Sequence, residues 1–526
     1  MRFARLAMLG LGAAPLAARA AVAQRPADTT GAPIVDSIAV TTYDIFRPDE
    51  AKRSALFRLT NALHVTTRVG VVRRELLFQV GQPYDSARVA ETARNLRALG
   101  IFHRVVIDTS RVGGRLIVHV TTSDAWSTQL DMSANSTGGT FTWALGVTEQ
   151  NFVGTANLVG IDYRQEADRT ALRLSTKVRR AFGTHLNVGG YYDDLSDGRD
   201  FEWNAGLPFL QLSDRQAVTV NGSVVHRQLL QWRDGQHVQT YLRTALVQGA
   251  SISVAPIADP GGYVRLGLLG QVRDEEYVNV VDTLAPLPDS IYAEAGAYAE
   301  LFRTRFKVVR HYNGFAQDED LDLSTRLRLE LWAAPSGFGY RQSGVIPAVT
   351  FQTGASFGKQ FVRLEGFAHG LFTSDGVDSS RVWGSLTIAS QALPRQATVL
   401  HIEAASQTGT PPGSEIDLGH GIGPRGFGPH AFTGTRGVWG TFEQRAFVWD
   451  QVFGVLGVGF AGFVDYGGAW YPDETRRFGG DVGFGLRIGS TRSSGTNVGR
   501  IDLAYRFGDG FTGKRWVVSL GRSYEF

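Results

Sequence analysis

Most of the chain beyond about residue 130 alternates between apolar and polar positions with a period of two. In the longest such run, residues 321–331, five leucines and a threonine share one parity, while Asp, Ser, Arg and Glu residues share the other. Residues 172–178 and 501–507 repeat the pattern. Because successive side chains of a strand point to opposite faces, these runs predict strands separated by Gly/Asp/Ser/Pro turns. The charged face would meet water in a soluble sandwich and line a lumen in a membrane barrel, and alternation alone leaves both open.

Residues 34–126 have a different pattern, in which helix and strand periodicities are mixed. A first strand is predicted at residues 34–40, and a first helix ends at Gly81. A second helix begins after the candidate N-cap Asp85 and ends at Gly100. Two strands follow, joined by the turn pair Gly113-Gly114. The apolar face of the first helix is formed by Val71, Val72, Leu76, Leu77 and Val80. The order strand-helix-helix-strand-strand predicts a small α+β domain.

The N-terminus has the features of an export signal. Arg2 and Arg5 precede a short apolar stretch, and small residues at 21–23 provide a cleavage site. We assign residues 1–23 to a signal peptide and residues 24–33 to a linker. Without Arg2, Arg5 and Arg19 the formal net charge falls from +3 to about zero, so the basic pI gives no argument for nucleic-acid binding.

Composition narrows the class further. The chain has no cysteine, which excludes disulfides and thiolate metal sites. It has 63 glycines and 11% aromatic residues, and no apolar run of the mature chain reaches the roughly 20 residues of a spanning helix. These features favour a β-rich envelope protein over a large α/β enzyme.

The last eleven residues predict a strand with large apolar groups on one face. Its spacing of Ser519, Gly521, Tyr524 and Phe526 resembles the C-terminal signal by which bacterial outer-membrane proteins are recognised for insertion. Taken alone, the segment is also compatible with an ordinary exposed terminal strand. Together with the export signal and some 400 residues of alternation, it favours a membrane barrel.

Two further resemblances concern the family. Residues 73–105 resemble the consensus of a POTRA domain, with residues 50–64 as an insertion that has no assigned role. Gly423-Pro424-Arg425-Gly426-Phe427, followed by a strand with Glu443 and a strand with Asp465, resembles the BamA/TamA outer-membrane assembly family. In that family an arginine at the tip of an inward-folded loop meets a Glu and an Asp on neighbouring barrel strands. The resemblance implies that Arg425, Gly426 and Phe427 form the tip and that Glu443 and Asp465 are its partners.

The chain departs from the family in two respects. It has room for one POTRA domain, whereas essential assembly factors carry several, and Pro424 stands where a β-branched residue usually precedes the arginine. The resemblance therefore does not imply that this chain is equivalent to the essential insertase of the family.

The predicted fold is therefore an all-β transmembrane barrel at residues 130–526, preceded by one α+β POTRA-like domain at residues 34–126. At roughly 25 residues per strand and turn, the barrel has about 16 antiparallel strands. The expected location is the outer membrane, with the N-terminal domain in the periplasm.

The expected function is insertion or translocation of polypeptides. Its partners would be the lipid bilayer, unfolded outer-membrane or secreted clients, and a periplasmic protein at the POTRA-like domain, without nucleic acid. The alternatives are an outer-membrane pore or transporter and a dedicated protein-secretion channel. The scattered histidines show no catalytic or metal-binding motif, so neither an enzyme nor a cofactor or metal is predicted.

Overall fold

A computed structural model describes residues 32–137, 140–233, 235–281, 287, 289–419, 421–492 and 498–522. The predicted signal peptide, most of the linker, and Tyr524 and Phe526 of the C-terminal signal lie outside these residues. In the described part, no helix is long and apolar enough to cross a membrane.

Residues 32–124 form a small α+β unit around a three-stranded sheet. Strand β1 pairs in parallel with β3, which pairs antiparallel with β2, giving the order β1-β3-β2. The elements are β1 (Val35–Tyr43), α1 (Pro48–Ala51), α2 (Ala55–Leu63), α3 (Val69–Arg74), α4 (Ser86–Ala98), β2 (Phe102–Val112) and β3 (Arg115–Asp124). Helices α3 and α4 pack on the sheet through Val72, Leu96, Val118 and Val120, which are fully buried.

Local signals explain the ends of these elements. The Asp85 carboxylate caps α4 by accepting from the backbone N–H of Ala87 at 2.8 Å. The turn between β2 and β3 requires two residues with positive φ, which Gly113 and Gly114 supply at +59° and +80°. The predicted first helix is too long, because α3 ends at Arg74 and the chain up to Gly81 forms turns. There the Leu77 N–H binds the Thr92 hydroxyl instead of a helical carbonyl.

The rest of the described chain forms one closed antiparallel barrel of 20 strands, with β27 beside β4. The strands are β4 (Thr128–Thr137), β5 (Thr140–Glu149), β6 (Leu158–Gln165), β7 (Thr170–Ala181), β8 (Leu186–Leu195), β9 (Gly198–Leu207), β10 (Gln216–Arg233), β11 (Gln236–Asp259), β12 (Gly262–Val281), β13 (Ser290–Arg303), β16 (Thr325–Ala334), β17 (Gly344–Phe357), β18 (Gln360–Thr373), β19 (Gly376–Ser390), β20 (Gln396–Thr408), β23 (Arg436–Val452), β24 (Leu456–Trp470), β25 (Gly479–Ser490), β26 (Val498–Gly508) and β27 (Trp516–Arg522).

The predicted number of about 16 strands is wrong. Several hairpins turn within two residues, as between β11 and β12 or β17 and β18. Residues 128–522 therefore give each of the 20 strands about 20 residues rather than 25. Alternation shows that strands exist but does not show how tightly each one turns.

The barrel wall separates apolar from charged side chains. On β16, Leu327, Leu329 and Leu331 point outward and are exposed, whereas Arg328 points inward and pairs with Glu300 at 3.2 Å. On β27, Trp516, Val518 and Leu520 are exposed and Ser519 is buried. At these positions the outward face is thus apolar, and the charge of Arg328 points into the lumen.

One predicted strand is divided in two. Residues 321–331 were expected to form one strand, but β15 (Glu319–Asp322) ends before β16 begins at Thr325. The Ser324 N–H donates to the Asp322 carboxylate at 2.9 Å, which turns the chain. Both pieces keep the same parity, so the alternation does not reveal the break. Leu323 is fully buried inside the barrel and is not part of the outward face.

Strand β15 belongs to a hairpin that closes the end of the lumen next to the N-terminal unit. It pairs with β14 (Phe306–Val309), and we call residues 304–324 the plug. Tyr312 and Phe315 at its tip are buried against inward residues of the wall, including Phe361 and Phe447. Phe315 occupies space above Gly457, where an added Cβ would lie 2.1 Å from its ring.

Candidate functional site

The segment between β20 and β23, residues 409–435, folds back into the lumen, and we call it the inner loop. Two short strands, β21 (Ile416–Leu418) and β22 (Phe432–Gly434), pair at its base. Near its tip, the Phe427 N–H donates to the Pro424 carbonyl at 3.3 Å. Pro424, which departs from the family pattern, therefore begins a turn that presents Arg425.

Arg425 lies against both carboxylates that the sequence assigns to it. Its Nε is 2.5 Å from Oδ2 of Asp465, its Nη2 is 3.1 Å from Oδ1 of the same residue, and its Nη1 is 3.0 Å from Oε2 of Glu443. The fork on Asp465 is bidentate, which a guanidinium is shaped to form. The guanidinium also lies 3.8 Å from the ring centroid of Phe463. Arg425 is 6% exposed, and Glu443 is fully buried.

Adjacent strands explain why these partners converge. Thr441 on β23 faces Asp465 on β24 in register, and both point inward. Glu443 is two residues further along β23 and therefore on the same face. The Thr441 hydroxyl donates to Asp465 and accepts from Nη2 of Arg425 at 3.2 Å.

Gly426 and Phe427 have different roles. The φ of Gly426 is not positive, so a left-handed turn does not explain the glycine at this position. It allows a close approach instead. Its N–H donates to Asp481 at 2.8 Å, and an added Cβ would lie 3.0 Å from that carboxylate. The Phe427 side chain is fully buried, with Phe432 and Phe511 near its ring.

The site is larger than the predicted set. Asp481 on β25 and Asp502 on β26 line the same side of the lumen, and Nη1 of Arg425 is 3.5 Å from Asp502. Glu443 also meets Arg445 at 2.8 Å and Arg487 at 3.4 Å, and Arg487 meets Asp502 at 2.5 Å. We call this set the charge network: Arg425, Arg445, Arg487, Arg500, Glu443, Asp465, Asp481 and Asp502.

The basic and acidic groups of the network are equal in number. It contains four guanidiniums and four carboxyls, so charges with little access to water can be compensated within it. Its additional members could have been found by extending the inward parity from Glu443 and Asp465 along the next two strands. The triplet motif alone gives no reason to look there.

The charge network also reaches the plug. Nη1 of Arg445 donates to the Tyr312 carbonyl at 2.8 Å and to the Asn313 side chain at 3.0 Å. On its other side, the plug contacts the N-terminal unit, where Arg97 of α4 forms a two-bond ion pair with Asp320 at 2.6 and 2.8 Å. A continuous series of polar contacts therefore joins α4, the plug, Glu443 and Arg425.

The lumen remains open beyond the inner loop. A cavity of about 1540 Å³ lies at the end of the barrel distant from the N-terminal unit. Its walls combine charged and aromatic residues, among them Arg243, Arg273, Glu275, Tyr292 and Trp332. His430 of the inner loop stacks on Trp232 of β10 with ring centroids 4.0 Å apart and lies 3.2 Å from Asp168 between β6 and β7, and these contacts tie the loop to the wall at this end. Within the loop, His430 also binds Asp417 at 2.5 Å.

Comparison with known proteins gives resemblances of overall structure. The sequence matches no family model and no curated protein. The structure is similar to CdiB from Escherichia coli (12% identity, 95% of this chain and 92% of that chain, TM-score 0.46). It is also similar to BamA from Haemophilus ducreyi lacking POTRA domains 1–3 (11% identity, 92% of this chain and 84% of that chain, TM-score 0.35). A third similar structure is OccK10 from Pseudomonas aeruginosa (11% identity, 76% of this chain and 99% of that chain, TM-score 0.34).

Proposed function

We propose that the chain is an outer-membrane barrel of the BamA/TamA type that assists the insertion or translocation of polypeptides. The observation that carries the proposal is the contact of Arg425 with Glu443 and Asp465 inside a closed barrel. A loop tip held by buried charges is a specific arrangement, because an unpaired partner would be costly.

The membrane location is supported by the wall itself. Closed barrels leave no unpaired strand edge in lipid, and this barrel has an apolar outward face with its charges inside. We therefore propose that the barrel spans the outer membrane and that residues 32–124 lie in the periplasm as a POTRA-like domain.

The N-terminal sheet supports a role in client binding. In the described part of the chain, strand β2 has one strand neighbour, β3, and presents its other edge over eleven residues. An extended client segment can add to such an edge through main-chain hydrogen bonds. The client would then meet the seam between β27 and β4 as a second edge within the bilayer.

Depletion tests the proposal. Removal of the protein from cells should lower a subset of barrel proteins or exported proteins in the outer membrane, and a copy carrying Arg425→Ala should fail to restore them. An outer-membrane proteome that does not change upon depletion would refute the assembly function.

The cavity of about 1540 Å³ favours one alternative, an outer-membrane pore or transporter. A pore would show ion-selective currents in planar bilayers that survive Arg425→Ala. The plug and the inner loop both occupy the lumen, which favours the assembly factor over a permanently open pore.

A further inference from the structure

The insertion at residues 50–64 forms a helix whose exposed face is apolar. Leu56, Leu59 and Leu63 of α2 are 58%, 55% and 69% exposed. Ala55 and Ala62 are exposed on the same side. At 100° per residue these five positions cover one continuous face of the helix. A surface helix of a soluble domain would turn such a face toward the core, so this helix has the inverse arrangement.

The orientation of α2 is fixed by its opposite face. Phe57 stacks on Phe46 with ring centroids 4.0 Å apart. The Asn61 side chain accepts from the Phe46 N–H at 3.1 Å and donates to its carbonyl at 2.8 Å. The Ser54 hydroxyl caps the helix by accepting from the Leu56 N–H at 3.1 Å. The leucines therefore point outward because the polar and aromatic face is anchored.

The helix lies at the rim of the barrel. The Phe57 ring contacts Gly454 in the turn between β23 and β24, where an added Cβ would be 3.1 Å away. Next to this turn, Phe453 is 84% exposed and Trp449 is 54% exposed. Aromatic side chains at the rim of a membrane barrel lie at the level of the lipid headgroups. The exposed apolar face of α2 thus lies near the aromatic residues of this rim.

Basic residues accompany this face. Lys52, Arg53 and Arg58 are exposed on and next to α2. Helices that lie in a membrane interface combine an apolar face with basic residues, which attract lipid phosphates. A protein partner would also explain why the leucines are exposed. Their position at the barrel rim, next to basic residues, favours lipid instead.

We propose that α2 is an interfacial anchor that inserts Leu56, Leu59 and Leu63 into the periplasm-facing leaflet of the outer membrane. This inference rests on the proposed membrane location of the barrel. The anchor would hold the N-terminal domain at a fixed tilt against the membrane.

Single cysteines can test the anchor in the full chain, because the chain contains none. An environment-sensitive fluorophore is attached at Leu59→Cys, with the protein in lipid nanodiscs that contain nitroxide-labelled acyl chains. We expect strong quenching by the nitroxide lipids and a several-fold lower iodide quenching than for the same label at Val112→Cys. Val112 is 62% exposed and is the last residue of β2.

A third label separates failure of the anchor from failure of the proposed membrane location. Leu329→Cys lies on the outward face of β16. If Leu329 is not quenched by the lipids, the membrane location is wrong. The anchor is refuted if the lipids quench the label at position 329 while the label at position 59 is quenched by iodide. It is also refuted if neither agent quenches the label at position 59, which would indicate that protein covers the helix.

A substitution variant adds a second measurement. In a chain with Leu56→Ser, Leu59→Ser and Leu63→Ser, a label at Ala62→Cys should lose lipid quenching and become accessible to iodide. Because these leucines make no buried contacts, the fold should persist. Lipid quenching at Ala62 that survives the three substitutions would overturn the proposal.

Discussion

Arg425 is the residue at which the inner loop is attached to the wall. Its guanidinium meets Asp465 through two bonds and Glu443 through one, and all three side chains are buried. Removal of one partner from a buried pair leaves the other charge uncompensated, at a cost of about 3–5 kcal/mol. The loop should therefore be held mainly by this side chain.

Replacement of Arg425 by Ala should release the inner loop from the lumen. We expect protease added to the purified protein in detergent to cleave within residues 409–435 much faster than in the native chain. Arg436→Ala is the matched control, since Arg436 is an exposed arginine at the end of the same loop. Equal cleavage of both variants would show that the contact does not hold the loop.

Asp124 lies at the junction of the N-terminal domain and the barrel, and its protonation should affect the stability of this junction. It is fully buried and accepts from the Thr67 N–H at 2.6 Å and from its hydroxyl at 2.9 Å. Thr67 in turn accepts from Asn151 at the barrel rim. Burial raises the pKa of Asp124 from 3.8 to about 6, although the Thr67 hydrogen bonds oppose the shift.

The junction should therefore lose stability as the pH rises from about 4 through 6. A raised carboxyl pKa favours the protonated folded form, so its contribution is complete below pH 4 and lost above pH 6, by roughly 3 kcal/mol. Hydrogen exchange of residues 64–68 should accelerate over this interval relative to an Asp124→Asn variant measured at each pH. A constant ratio between the two proteins would contradict the assignment.

Among the elements, the plug has the most direct consequence for permeability. The plug is the segment of chain that connects β13 to β16. Its tip is held by apolar packing of Phe315 and by the hydrogen bond from Arg445 to the Tyr312 carbonyl. Both contacts involve inward residues of the barrel. Because β13 and β16 pair directly with each other, a displaced plug would leave the strand pairing of the wall intact.

Substitution of Phe315 by Asp should displace the plug, because it removes a buried aromatic ring and places a charge in an apolar cluster. The loss of packing alone costs about 3–5 kcal/mol. We expect larger and more frequent currents in planar bilayers than for the native chain. Arg310→Ala is the control, because its ion pair with Asp318 is exposed. Native-like currents for Phe315→Asp would show that the plug does not limit permeation.

The sequence predicts some of these elements better than others. Alternation identifies the strands because lipid-facing and lumen-facing positions impose a strict period, as at Leu327, Leu329 and Leu331. The plug is missed because Leu321 and Leu323 keep that parity although they pack inside the barrel. Arg425, Glu443 and Asp465 come from a family resemblance, whereas Asp481 and Asp502 join them through strand neighbours, which a motif does not contain.

At the scale of the whole molecule, the strands of the barrel wall differ in length. Strand β11 has 24 residues and β12 has 20, whereas β4 has 10. The closure between β27 and β4 therefore spans at most the 10 residues of β4. Fewer backbone hydrogen bonds must break there than between β11 and β12, as the proposed entry of a client strand at this seam requires.

Cross-linking of this seam should stop the proposed assembly activity. Cysteine pairs between outward-facing positions of β4 (Leu130, Met132) and β27 (Val518, Leu520) would lock it, and a reductant should restore activity. The control is Leu503→Cys with Val518→Cys, which are register partners on β26 and β27 and leave the seam free. Activity is measured by recovery of the outer-membrane proteome in depleted cells. Full recovery with the seam locked would refute a lateral gate while leaving the barrel intact, because the wall is closed in both states.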